Sequence, residues 1–385
     1  MGRETYFATL DRALKDAGIV TPTLVIDRDR LDRNIDTVTG ALPPGMGLRI
    51  VAKSLPSTPL LAHVMARAGT DRLMTFNLPM LRQIAAELPG AHQLWGKPLI
   101  EAAVKSYFDG ERRNEDRITW LVDTAARLET YAAIARSAGA TLDVALEIDV
   151  GLHRGGLRPG DALSVALATL SRLPELRFAG LMGYEPHLPS VPTLLGWRGR
   201  AQRAAWEAYR TAKQQVQDAL GEDTLNGAIL NTAGSPTYRL YGDTTLANEV
   251  SVGSALLKPT DFDTDLLKDH VPAAFIATPV IKGPMPAQLP VLGRTFIRRS
   301  RDQMVFIHGG HWMAEPEDPP LHYSATFGRS SNQEALLGAE IPVAPGDFVF
   351  LRPHQSEAVL LQFGPLTIVS DGKVVVHWPS FAVSA

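Results

Sequence analysis

The chain contains no cysteine, which excludes disulfides, thiolate zinc sites and a cysteine nucleophile. No apolar run approaches the roughly 18 residues of a membrane-spanning helix, so no membrane partner is expected. Neither sign of charge is in excess. With 38 Lys and Arg against 41 Asp and Glu, the net of −3 points to no nucleic acid and no anionic surface. Internal repeats and low-complexity segments are also missing. The opening segment MGRETYFATLDRALKDAG lacks the apolar core of a secretion signal, which predicts a cytoplasmic protein. What is present is 385 residues, 45% of them apolar, enough for two domains. A small molecule is the expected partner.

Short apolar runs alternate with helix-period stretches over the first two thirds of the chain, the pattern of parallel strands joined by crossover helices. Eight runs lie near residues 48–52, 72–76, 92–95, 118–122, 142–148, 177–184, 227–231 and 248–252. Leu31, Ile35 and Val38 share one helical face before the first run, and Leu128, Tyr131 and Ile134 do so after the fourth. Eight strands with intervening helices predict an α/β fold, a (β/α)8 TIM-type barrel. After about residue 265 the helical period fades, and β-like runs (AAFIATPVI, QMVFIHGG, DFVFLRP, LTIVSDGKVVVHW) alternate with Gly, Pro and Asp turns, which predicts a mostly β C-terminal domain. Asp371-Gly372 between two apolar runs signals a hairpin. The expected division is an N-terminal segment 1–27 associated with the β domain through the run TLVID, a barrel 28–264 and a β domain 265–385.

In a parallel barrel, chemistry gathers where the strands end. Lys53 ends the run LRIVAK, where a partly desolvated amine can attack an aldehyde cofactor to form a Schiff base. The other strand ends offer Thr75 and Asn77, Asp123, Asp149 with His153 and Arg154, Tyr184 with His187, Asn231 with Thr232, and the segments NTAGSPT and SVGSA. These last two set Gly234 beside Ser235 and Gly253 beside Ser254, so that backbone N–H groups and hydroxyls can approach a phosphate; Gly and Ser also make ordinary turns. Arg154 is placed to meet a cofactor ring or its phenolic oxygen, or else to pair with Asp149 or Asp123. Tyr184 either stacks on the ring or completes a core. His308 and His311, three apart in FIHGGHWM, are candidates for substrate contact, whereas His63, His92 and His270 read as ordinary surface or helix positions.

From about residue 20 to 379 these segments resemble the D-threonine aldolase and D-serine dehydratase group, pyridoxal-phosphate enzymes with the alanine racemase type of fold. TPTLVIDRDRLDRNI, LRIVAKS (at Arg49, Ala52 and Lys53), EIDVGLHRGG, FAGLMGY, NTAGSPT, SVGSA, GDFVFLRPHQS and DGKVVVHWP carry the resemblance in that order. It implies that Lys53 carries pyridoxal 5′-phosphate, that Arg154 and Tyr184 contact its ring, and that Thr232, Gly234, Ser235, Gly253 and Ser254 line its phosphate loops. It further implies a homodimer, an amino-acid substrate, and a lyase reaction on a D-configured β-hydroxy amino acid: retro-aldol cleavage to glycine and an aldehyde, or dehydration. The alternatives are a racemase or epimerase and, from another class, a non-catalytic pyridoxal-phosphate storage protein.

The chain departs from the group where a divalent metal (Mn, Zn or Mg) is expected. The group's His, one residue, then Cys or Asp becomes His354, Gln355, Ser356, and its Glu-His-Gly becomes Glu334 followed by Ala335. A neutral hydroxyl is a poor ligand beside thiolate or carboxylate. His354 is left as the candidate metal residue.

Overall fold

The computed structural model describes residues 3–192, 194–287 and 302–383. The chain divides into two compact units, one of residues 1–34, 256–263 and 270–380, the other of 35–255, 264–269 and 381–385.

The second unit is the barrel. Strands β2 (Gly47–Val51), β3 (Arg72–Thr75), β4 (His92–Trp95), β5 (Ile118–Val122), β6 (Leu142–Ile148), β7 (Leu176–Gly183), β8 (Ile229–Thr232) and β9 (Glu249–Val252) close into a ring in chain order, all parallel, with β9 pairing back onto β2. The expected eight-strand barrel is therefore the observed one. Helix α2 (Arg28–Ala41) precedes β2 in the chain, and helices α3 (Thr58–Ala68), α4 (Leu78–Glu87), α5 (Glu101–Asp109), α6 (Ala125–Ser137), α7 (Asp161–Leu170) and α8 (Trp197–Leu220) occupy the first six crossovers. Between β8 and β9 the described chain makes only a single 3-10 turn, Tyr238–Leu240. Local chemistry sets these boundaries. The Asn77 side chain accepts the Met80 N–H at 2.8 Å to start α4, and Thr124 caps α6 through the Arg127 N–H at 3.2 Å. Gly69, with φ 65°, ends α3 in the left-handed region.

Inside the ring a buried ionic layer replaces part of the usual aliphatic filling. Arg49 on β2 and Glu249 on β9 are each 1% exposed and pair through two bonds, of 2.5 and 2.9 Å. Burial raises the Glu249 carboxyl, but the charge and bonds of Arg49, with Arg72 and Asn231, together outweigh it and hold the group below its usual range. Asn231 donates to the same carboxylate at 2.7 Å. His92 at the start of β4 meets Arg49 Nη1 at 3.2 Å and Thr119 at 3.3 Å, and burial together with the Arg49 charge brings its imidazole down to about 4. His92 thus corrects the surface reading: it is a neutral member of the barrel's interior network, invisible to a sequence that shows no burial. His63 lies on α3 as expected.

The first unit is a sheet covered by helix α1 (Arg3–Asp16). Strand β1 (Thr23–Asp27) runs antiparallel to β10 (Ala274–Pro286) and parallel to β16 (Leu366–Ser370). Strands β11 (Gln303–His308), β12 (Ala314–Asp318), β13 (His322–Tyr323), β14 (Gln333–Gly338), β15 (Phe348–Pro353) and β17 (Lys373–Trp378) complete the described sheet. Phe7 of α1 packs edge-on to Phe275 at 5.2 Å and against Phe350 at 5.1 Å, the centre of that unit's core. The β16–β17 hairpin turns at Asp371-Gly372, where φ values of 49° and 68° suit a primed two-residue turn. His270 is buried here, 3% exposed, which overturns its surface reading.

Candidate active site

Lys53 lies in a 3-10 turn, Ala52–Ser54, directly after β2, with its amine 4.8 Å from the centre of the Phe76 ring. The next residue joins it to the last strand: Ser54 Oγ and Ser254 Oγ are 3.0 Å apart and both buried. Because β9 closes the ring onto β2, residues 200 apart in the chain become neighbours. Gly253 makes that approach feasible. A Cβ there would lie 2.7 Å from Val51 Cβ and 2.8 Å from Ser54 Oγ, so a side chain would push the lysine turn away.

From the segment after β8, Ser235 Oγ accepts the N–H groups of both Gly253 and Ala255 at 3.0 Å. The segment after β8 and the segment after β9 are thereby one structure. Thr232, at the end of β8, is buried beside them. Gly234 is packed against Tyr184, where a Cβ would come within 2.4 Å of the ring. Arg154 stands over the other part of this group, its guanidinium carbon 5.3 Å from the Tyr184 ring centroid, within cation–π range. Contacts thus link Lys53, Ser54, Ser254, Gly253, Ser235, Gly234, Tyr184 and Arg154 without a break.

The loop bearing Arg154 is tied down by Asp149. This buried carboxylate accepts the N–H groups of Gly151 at 3.1 Å and His153 at 3.0 Å, and its second oxygen meets His153 Nδ1 at 2.8 Å and Arg158 at 3.4 Å. Burial raises the carboxyl, but the bonds from His153 and Gly151 prevail and leave it below its usual range. Leu157 closes the loop base, donating to Glu147 O at 2.7 Å and accepting from Asp149 N at 3.0 Å. The ion pairs considered for Arg154 are replaced: Asp149 is bonded to His153 and Arg158, and Asp123 to Arg127 at 2.6 Å. The arginine itself is exposed.

One residue of this region was not among those singled out from sequence. Glu185 follows Tyr184, is 1% exposed, and has its carboxyl pushed by burial up to about 7. Its signal, an acid immediately after a strand-end tyrosine, is indistinguishable in sequence from a solvated loop charge.

The remaining candidates belong to the other unit. His308 ends β11 and His311 follows in the left-handed region with φ 51°, both exposed. His354 Nδ1 is 2.9 Å from Thr260 Oγ1, and its Nε2 lies 3.8 Å from a Glu315 oxygen. Ser356 Oγ is buried with no hydrogen-bond partner, and Glu334 pairs with Arg329. Among the described residues no group of three or more His, Asp or Glu side chains is arranged to hold a metal ion. A histidine already engaged with a threonine, followed by a serine, does not suit Mn, Zn or Mg. Among the described residues no helix is long and apolar enough to cross a membrane.

A lysine at one strand end joined to a two-loop hydroxyl cradle at the last two defines a barrel of the racemase type. The chain belongs to the family described as alanine racemase, N-terminal domain, whose model matches residues 26–261. It is 29% identical over 219 residues to a D-threo-3-hydroxyaspartate dehydratase of Delftia sp., covering 56% of each chain. It is 33% identical over 125 residues to a D-threonine aldolase of Arthrobacter sp., covering 32% of this chain and 33% of the relative. The chain thus spans between a third and about half of these curated relatives. The crystal structure of a D-threonine aldolase from Filomicrobium marinum shares the fold, with a TM-score of 0.74 over 94% of both chains at 21% identity.

Proposed function

We propose that the protein is a pyridoxal-phosphate-dependent lyase acting on a D-configured β-hydroxy amino acid, with aldol cleavage ahead of dehydration. The supporting observation is the Ser54–Ser254 contact, which sets the lysine turn beside a cradle built from Ser235, Gly253 and Ser254. These residues suit the cofactor: an amine for its aldehyde, and serine hydroxyls and backbone N–H groups, packed too closely to admit a Cβ at Gly253, for its phosphate. Pyridoxal phosphate, when bound, withdraws electrons from the α-carbon of an amino acid and so weakens the bonds to that carbon. Lys53 would anchor it, Tyr184 and Arg154 would orient its ring, and the Arg154 charge would balance its phenolic oxygen. The dehydratase and aldolase relatives support the substrate class. The resemblance also supports a homodimer, checked by light scattering of the holoprotein.

The test is the visible absorbance of the purified protein, repeated on Lys53→Ala, together with release of glycine and aldehyde from D-threonine. Loss of band and product together is expected; a band that persists in the variant would refute the Lys53 assignment. The donor set at His354 and Ser356 favours a second reading, racemisation, because nothing there polarises a substrate hydroxyl as a metal does. Exchange of the α-proton with solvent deuterium, without cleavage and without response to added manganese, would decide for it.

A further inference from the structure

Glu185 is a buried carboxyl group with no part in the reaction proposed above, and its bonds lead to the turn after β8. The Thr237 hydroxyl donates to it at 2.7 Å and in turn accepts the Gly234 N–H at 3.1 Å. Tyr241 and the Ala233 N–H face the same carboxyl and favour its charged form. A hydroxyl has one proton to give, so with that proton on Glu185 the lone pairs of Thr237 are left facing Gly234. Ala233 lies in the left-handed region at φ 62°, a conformation that a residue with a Cβ keeps only when its surroundings impose it. The carboxyl therefore holds Gly234 through Thr237, directly after the left-handed Ala233. Ser235, between them, presents its hydroxyl to the N–H groups of Gly253 and Ala255.

We propose that Glu185 is a positioning residue for phosphate recognition: through Thr237 it holds the 233–237 turn in the shape that receives the phosphate of a phosphorylated cofactor. This rests on reading the two loops as a phosphate cradle. The residue acts on the phosphate end alone, so its removal weakens binding of the phosphorylated ligand and spares the part of the affinity that comes from the ring.

The experiment compares pyridoxal 5′-phosphate with pyridoxal by equilibrium dialysis on the full-length protein, with inorganic phosphate as competitor. The wild type is expected to prefer the phosphorylated form and to lose that preference as phosphate is added. Glu185→Ala should reduce the preference about tenfold or more, the worth of one hydrogen bond to a charged group, while pyridoxal affinity changes less than about threefold. Glu185→Gln should restore most of it, since the amide oxygen still accepts from Thr237. Thr237→Val, which deletes the relay hydroxyl, should reproduce the loss and carries the test if Glu185→Ala does not fold. An unchanged preference in Glu185→Ala, or in Thr237→Val where the first variant is unfolded, overturns the inference while the cradle stands. A wild type without any preference overturns the cradle, and the inference falls with it.

Discussion

Replacing Glu185 by glutamine should make the protein more stable, and by an amount that grows with pH. Burial raises the carboxyl from 4.5 to about 7 in the folded chain. A tenfold change in proton affinity is about 1.4 kcal/mol, so the full effect is about 3 kcal/mol. Below pH 4.5 the group is neutral folded or unfolded and contributes nothing. Between about pH 4.5 and 7 the unfolded chain releases the proton while the folded chain keeps it, so stability falls as pH rises; above 7 the folded chain bears the whole cost of a buried carboxylate. Glutamine is neutral throughout. Between pH 5 and 8 the advantage of Glu185→Gln should therefore grow by about 2.5 kcal/mol. Urea titrations of the cofactor-free protein at several pH values measure this through tryptophan fluorescence, since Trp95, Trp120, Trp197 and Trp206 all lie in the barrel unit. With a slope of about 3 kcal/mol per molar urea, the midpoints should separate by somewhat under about 1 M over that range. A difference between variant and wild type that stays constant with pH would refute the reasoning.

Three other outcomes follow from the barrel. Arg49→Met leaves the buried Glu249 carboxylate with the partly exposed Arg72, at 3.0 Å, as its charged partner and should cost about 3 kcal/mol in the same titrations, with much of the loss recovered when Glu249→Gln is added. Gly253→Ala drives a methyl group into Val51 and Ser54 and should destabilise by about 1–3 kcal/mol, with weaker cofactor binding by dialysis. Asp149→Ala removes the acceptor of two loop N–H groups, so amide exchange across residues 150–156 should quicken by about tenfold or more, while β5 and β8 keep their protection.

Much of the barrel was legible because buried parallel strands write continuous apolar runs: ITWLV and LDVALEI are β5 and β6 residue for residue. The hairpin at Asp371-Gly372 was legible for another reason, since few dipeptides tolerate two positive φ values in succession. The connection from β8 to β9 was not, because NTAGSPTYRLYGDTT offers no helical period and the described chain forms no α-helix there, only turns and the 3-10 turn Tyr238–Leu240. In the candidate site, the strand-end rule located Lys53, Tyr184 and Ser254 without structural information. It could not show that Ser54 meets Ser254, which depends on ring closure, nor that Glu185 is buried, which depends on the neighbouring loop. His92 was hidden for the same reason: a lone histidine at the start of HQLW carries no mark of the burial, or of the Arg49 charge two strands away, that keep it neutral.

The Ser54–Ser254 contact lies at the seam between the first barrel strand and the last. Lys53 is made early in synthesis, and the hydroxyl partner of its turn some two hundred residues later. Bringing them together requires the longest loop closure in the barrel, the kind of non-local pairing that folding makes slowly. A nascent chain halted before β9 has the amine but no cradle beside it. On the function proposed above, cofactor capture would therefore report completion: the event that seals the cylinder would also create the place for the phosphate.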